Sequence, residues 1–144
     1  MANASISAAP GSKPRSPGSI SERDKRVTRA LLWALEPVSN LPQNRRRGIP
    51  LRFVTVFLMI AHDEGKGVNT YAREFGVHRA IMSRYVRDIG IRSRNGGPGL
   101  GLVSVESHPV DPQRTQVFLT GKGRSVAKEI FLRLRRAGRA KLFE

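Results

Sequence analysis

The stretch AREFGVHRAIMSRYVRDIG, residues 72–90, decides the fold. It holds two helical half-patterns, over residues 70–75 and 78–89, that meet at Gly76. Two helices crossing steeply need a small residue where they approach, and Ala72 supplies it. Four residues later Gly76 can take the positive φ that a tight turn requires. Tyr71, Phe75, Val77, Met82 and Tyr85, with Ile81 or Val86, supply an apolar interface. His78, Arg79, Ala80, Ser83, Arg84 and Arg87 are left on the outer side of the second helix. This is the pattern of a helix-turn-helix. Its outer residues are those that enter a major groove, where arginine pairs with guanine or grips phosphate. The small Ala80 and Ser83 permit close approach between the larger side chains.

The competing reading is an ordinary helical hairpin with a solvated basic face. The residues downstream argue against it. After RSRNGGPGLG, which reads as a flexible glycine-rich connection, LVSVES alternates like a strand, HPVDPQR turns, and TQVFL returns. A β-hairpin directly after a recognition helix is the winged-helix arrangement. Thr120 is placed to cap a last helix over residues 121–137, in which Val126, Ala127, Ile130, Phe131 and Leu134 form an apolar stripe.

Upstream, Ser21 and Asp24 form a capping-box signature that opens a helix over 22–36, with Pro37 expected to stop it. PVSNLPQNRRRGIP reads as a loop, and Pro50 suits the first turn of the next helix. Residues 51–63 are apolar nearly all round, as in a central helix packed on several sides. Residues 1–20, rich in Ser, Ala, Pro and Gly, are expected to form a disordered basic arm, and 21–144 the folded domain.

From about residue 49 to 135 the chain resembles the MarR family of winged-helix transcriptional regulators. The resemblance rests on NTYAREFGVHRAIMSRYV, on GLVSVESHPVDPQRTQVFLTGKG, and on their order. Its most specific part is the ending formed by Asp111, Arg114, Leu119, Thr120 and Gly123. The resemblance implies a mainly α fold with a small β-hairpin wing, dimerising through its N- and C-terminal helices, here 22–36 and 121–137. It also implies that Arg114 reaches a minor groove and that Asp111 helps to hold it. Two departures stand out. The family's recognition helix usually opens on a Ser, Thr or Asp cap, and here His78 occupies that place. The ten residues RSRNGGPGLG lie where the family has a tight link, which is expected to displace the wing or to add Arg92 and Arg94 as phosphate contacts.

Composition agrees. Lys and Arg total 26 against 11 acids, a formal charge of +15, and such an excess attracts polyanions by steering and counterion release. The excess is grouped. Residues 69–95 hold six basic side chains against two acids and residues 121–144 eight against two, whereas 49–68 are balanced. The Arg45–Arg46–Arg47 run and the basic C-terminal tail read as solvated charge, with DNA contact the lesser alternative. Trp33 reads as dimer core. No apolar run is long enough to cross a bilayer, and no secretory signal is expected, so the expected location is the cytoplasm, on the nucleoid. The chain has no cysteine, which excludes disulfides and thiolate metal sites.

Enzymatic signals are poor. His62, His78 and His108 lack metal-ligand spacing, and Ser107, His108 and Asp111 sit too close in sequence to converge as a triad. NGGPGLG follows a helix and precedes a strand, the reverse of a phosphate-binding loop. The sequence therefore predicts a non-enzymatic, homodimeric regulator that binds double-stranded DNA without a cofactor or metal. A small-molecule effector is allowed by the resemblance but not identified by any residue. The alternatives are a low-specificity architectural protein of phage or plasmid type and an RNA-binding winged helix, the latter without the usual aromatic platform.

Overall fold

The computed structural model describes residues 18–41 and 48–139. Most of the expected N-terminal arm, the Arg45–Arg46–Arg47 run and the last five residues of the basic tail lie outside them. The elements run α1 (Glu22–Ser39), α2 (Leu51–His62), α3 (Val68–Phe75), α4 (Arg79–Ile89), β1 (Val103–Ser107), β2 (Thr115–Leu119) and α5 (Gly121–Arg139). This is a mainly α chain with one antiparallel hairpin, the winged helix-turn-helix expected from the sequence. The strands pair in register from Val103 opposite Leu119 to Ser107 opposite Thr115.

Helix α1 opens as expected at its N-terminus. The Ser21 hydroxyl oxygen accepts the Asp24 amide at 3.1 Å, and the hydroxyl donates to the Asp24 carboxylate at 2.6 Å. Its end differs from the expectation. The helix runs through Pro37 to Ser39. Proline has no N–H to give the carbonyl four residues back, so the Trp33 carbonyl loses its helical donor. Arg133 of α5 replaces it, donating Nη1 to the Trp33 oxygen at 2.7 Å. The same guanidinium pairs with Glu36 at 3.0 Å and with Glu129 at 3.0 Å, and lies 5.2 Å from the centre of the Trp33 ring. Hydrogen bonding to Glu129, then to Glu36, holds the Arg133 pKa above its ordinary value. Small buried residues, Ala30 and Ala34 on α1 with Ala127 and Ala137 on α5, let the two helices approach closely.

Pro50 stands at the N-cap of α2, one residue before its first turn, and its carbonyl accepts the Phe53 amide at 2.9 Å. Val56, Phe57 and Ile60 of α2 are wholly buried and form the centre of the core. Tyr71 and Ala72 of α3, Met82, Val86 and Ile89 of α4, Leu102, Val103 and Val117 of the wing root, and Ile130 of α5 close around them. Fully burying an aliphatic or aromatic side chain of this size contributes about 1.5–3 kcal/mol. That makes this cluster the main source of stability. Among the described residues no buried side-chain nitrogen or oxygen lacks a partner.

The segment after α4 is hydrogen-bonded to itself and to the end of α4. Gly99 donates to the Ile91 carbonyl at 3.0 Å, Ser93 to Gly97 at 2.9 Å and Gly96 to Ser93 at 3.1 Å, folding residues 91–99 into a small hairpin. Leu100, Gly101 and Leu102 then donate to Asp88, Gly90 and Ile89, which docks the segment on the end of α4. The close approach requires glycine: a Cβ on Gly99 would lie 2.1 Å from the Gly90 carbonyl oxygen. The added residues thus close on themselves, and the chain enters β1 at Val103 directly after docking on α4.

Candidate nucleic-acid interface

The turn between α3 and α4 is built as the sequence predicts. Ala72 is buried at the crossing, and Gly76 has φ 77°, with its amide bonded to the Ala72 and Arg73 carbonyls. A Cβ on Gly76 would meet nothing within 4 Å, so the glycine answers to backbone conformation and not to space. Of the expected interface residues, Tyr71 and Met82 are wholly buried, while Phe75, Val77 and Tyr85 are half-buried. Tyr85 packs edge-on to Phe53 and Phe75, at 5.8 Å and 6.4 Å between ring centres. Val86 fills the interface position and Ile81 faces outward.

His78 fills the cap position itself. Its Nδ1 accepts the Ala80 amide at 3.2 Å, so the ring caps α4 in place of the usual Ser, Thr or Asp. Beyond it Arg79, Ala80, Arg84 and Arg87 are exposed on one face of α4, and Ser83 is half-buried among them. No ion pair among the described residues engages Arg79, Arg84 or Arg87. The opposite face of the helix is fixed in the core by Met82, Val86 and Ile89. The result is a helix anchored on one face that leaves Arg84 and Arg87 exposed on the other, with Arg79 at its N-terminal end.

The wing is held beside this pair by the short connection between α2 and α3, which carries no motif in the sequence. Gly65 donates to the Val117 carbonyl at 2.9 Å and Val117 donates to Lys66 at 3.0 Å, so residues 65–66 lie alongside β2. Glu64 fastens the far side. Its Oε1 accepts the Leu119 amide at 2.7 Å, and its two oxygens meet Arg124 of α5 at 2.9 Å and 3.0 Å. Lys66 bridges Asp63 at 2.8 Å and Glu74 of α3 at 2.6 Å. Hydrogen bonding to Asp63, then to Glu74, raises the Lys66 pKa, and the same bond to Lys66 lowers that of Asp63. The buried Tyr71 hydroxyl donates to the Asp63 carbonyl at 2.6 Å, and burial pushes the phenol's pKa up. At the wing root Thr120 accepts the Gly123 amide at 3.0 Å and donates to Gly101 at 2.5 Å, capping α5 as expected.

At the tip of the wing, His108 Nδ1 accepts the amides of Val110 and Asp111 at 3.1 Å and 3.3 Å. Asp111 does not hold the Arg114 side chain. Its carboxylate accepts the Gln113 amide at 3.2 Å, and only its backbone carbonyl meets the Arg114 amide, at 3.0 Å. Asp111 therefore shapes the turn, and the Arg114 guanidinium extends from it without an ion pair among the described residues. Arg94 is engaged otherwise, lying 3.4 Å from Asp88, whereas Arg92 is exposed.

Between α3 and the wing lies a cleft of about 800 Å³. Of the sequence-predicted residues it brings together His78, Arg79 and Arg114, and it adds Arg73 and His108. Ala80, Ser83, Arg84, Arg87, Arg92, Arg94 and Asp111 lie outside it. No group of histidine, aspartate and glutamate among the described residues is arranged to hold a metal ion, and no described helix is long and apolar enough to cross a membrane.

No protein-family model matches the sequence, and no curated protein matches it. Solved structures do resemble the fold. A transcriptional regulator from Thermotoga maritima superposes with a TM-score of 0.58 at 13% identity, over 81% of this chain and 72% of that one. A protein from Mycobacterium tuberculosis superposes with a TM-score of 0.58 at 14% identity, over 92% of this chain and 86% of that one. The transcriptional repressor CouR, solved bound to a 23-mer DNA duplex, gives 0.51 at 19% identity, over 83% and 75%. The likeness is one of fold: this chain shares the architecture of those structures.

Proposed function

We propose that the chain is a homodimeric transcriptional regulator that binds double-stranded DNA and represses by occupying a promoter. Helix α4 enters the major groove with Arg79, Ser83, Arg84 and Arg87, and the wing brings Arg114 to the neighbouring minor groove. The observation that carries this reading is the outer face of α4. Its arginines lack ion-pair partners among the described residues, while its inner face is locked in the core. Such a helix presents guanidinium forks in fixed positions, and each fork can pair with guanine or clamp a phosphate. The solved complex of CouR with duplex DNA supports the reading, since that repressor shares the fold.

Dimerisation is supported by apolar surface on α1 and α5. Leu31, Leu32, Trp33 and Phe131 are 46%, 70%, 40% and 40% exposed although each is large and apolar. A second copy that covers them would set two α4 helices about one helical turn of DNA apart. The protein acts in the cytoplasm, on the nucleoid, and needs no cofactor. A second reading, low-specificity architectural binding, is favoured by one observation, the formal charge of +15.

Fluorescence anisotropy with the protein's own upstream DNA and with random duplex, across a salt series, tests both. A preference for the upstream DNA that survives physiological salt is the expected result, and Arg84→Ala should erode it by about 1–3 kcal/mol. Equal binding that collapses together as salt rises favours the architectural reading. Absence of binding to either duplex at low salt removes the proposal.

A further inference from the structure

The cleft between α3 and the wing is lined from both sides by cations and by no acid. Arg73 comes from α3, Arg79 from α4, and Arg114 from the wing, with Thr70 and Gln113 among the other lining side chains. No described residue forms an ion pair or side-chain hydrogen bond with any of the three guanidinium groups. The acids nearby are engaged elsewhere: Glu74 and Asp63 pair with Lys66, and Glu64 with Arg124. Three like charges gathered around one cavity repel one another unless an anion sits between them.

Two further groups point the same way. His78 and His108 both line the cleft, and each uses Nδ1 to accept a backbone amide. The ring proton of each neutral imidazole is then on Nε2, where no described residue accepts it. At the floor, Gly67 gives α3 no side-chain cap, and the amides of Val68 and Asn69 have no intrahelical acceptor. Arginine forks, imidazole N–H donors and backbone amides are all donors. A cavity lined by them takes an acceptor with several oxygens and negative charge.

We propose that this cleft is an oxyanion seat that receives a backbone phosphodiester of the bound duplex, gripped by α3 on one side and the wing on the other. For its occupant the proposal rests on the duplex-binding reading above. The seat adds Arg73 and His108 to the DNA contacts, beyond the outer face of α4, and sets Arg114 on a phosphate bordering the minor groove that the wing reaches. A phosphodiester fits the donor set because its two unesterified oxygens accept from two arginines at once. The same donors accept free phosphate, so inorganic phosphate competes with the duplex for the cleft.

The contact is sequence-independent, so a labelled random-sequence duplex serves as probe. The slope of log K against log salt is measured for wild type, for Arg73→Ala with Arg114→Ala, and for Arg26→Ala with Lys128→Ala. The last pair removes equal charge from exposed positions on α1 and α5 outside the cleft. Near-UV circular dichroism confirms that each variant is folded. In parallel, inorganic phosphate is titrated into the protein without DNA, at ionic strength held constant with chloride, while the imidazole resonances of His78 and His108 are followed.

The cleft pair is expected to lower the slope by about 0.9, since its two arginines share one phosphate and each phosphate contact contributes about 0.9, and the control pair to leave it within about 0.3. Phosphate is expected to move both histidine resonances in wild type and neither in the cleft pair. If wild type binds duplex but the two pairs change the slope alike, the cleft proposal is overturned and duplex binding stands. If no duplex binds while phosphate still moves the resonances through Arg73 and Arg114, the seat is real, its source is a free oxyanion, and the duplex reading falls. If neither ligand acts, both are overturned.

Discussion

Replacing Glu64 tests whether one carboxylate fixes the wing against the helix-turn-helix. Its Oε1 accepts the Leu119 amide at 2.7 Å, and Leu119 is only 8% exposed. Glu64→Ala leaves that amide without its side-chain acceptor and shielded from water, at a cost of about 1–3 kcal/mol. The pair with Arg124 contributes less. Its side chains are 24% and 50% exposed, so solvent screens the attraction to about 0.2–1 kcal/mol. Together these predict a loss of about 1–4 kcal/mol for Glu64→Ala, most of it from the Leu119 amide. Glu64→Gln keeps an amide oxygen for Leu119 and gives up only the charge, so it should lose under about 1 kcal/mol. Arg124→Ala should resemble Glu64→Gln. Urea denaturation at fixed protein concentration reads these differences, and hydrogen exchange at the Val117 and Leu119 amides should accelerate most in Glu64→Ala. If Glu64→Gln lost as much as Glu64→Ala, the ion pair would carry the effect and the reasoning would fail. Silence in both variants would mean that Glu64 does not hold the wing.

Three other outcomes rest on single contacts. Arg133→Met should lower the midpoint of urea unfolding, because the Trp33 carbonyl loses its donor; Pro37→Ala, which restores the helical amide, should recover part of that loss. His78→Ala should cost about 1 kcal/mol through the lost cap of α4, and His78→Ser should restore it, as thermal melts of the three proteins will show. Gly76→Ala should cost about 1–2 kcal/mol from its positive φ alone, whereas Gly99→Ala forces a Cβ 2.1 Å from a carbonyl oxygen and should lower the melting temperature further. Equal melting temperatures for the two glycine variants would contradict the docking of residues 91–99 on α4.

The helix-turn-helix is legible in the sequence because its determinants are local. Ala72 and Gly76 lie four residues apart, and the outer positions of α4 come from a 3.6-residue period. The strand alternation and the Thr120 cap are equally short-range. The features that the sequence hides are carried by single residues bonded across long separations. Glu64 meets partners 55 and 60 residues away, and Arg133 meets Trp33 across 100 residues. Neither leaves a periodic trace. His78 reads as a missing cap because histidine is uncommon there, although its unprotonated Nδ1 can accept an amide as a hydroxyl does. RSRNGGPGLG reads as flexible because glycine frees an isolated backbone; here Gly90 and Gly99 instead let two backbones touch. Arg73 carries no signal of its own, because only the folded wing brings Arg114 round to share its cleft.

The donor that Arg133 lends to the Trp33 carbonyl makes the end of one helix conditional on the arrival of another. A ribosome delivers residues 22–39 long before residue 133. Until then Pro37 acts as the sequence alone suggests, and the final turn of α1 has no reason to persist. The docking of α5 completes that turn and, in the same step, seats Glu36 and the Trp33 ring against one guanidinium. The last turn of α1 and the seating of α5 are therefore one structural event, joined by a single side chain across 100 residues.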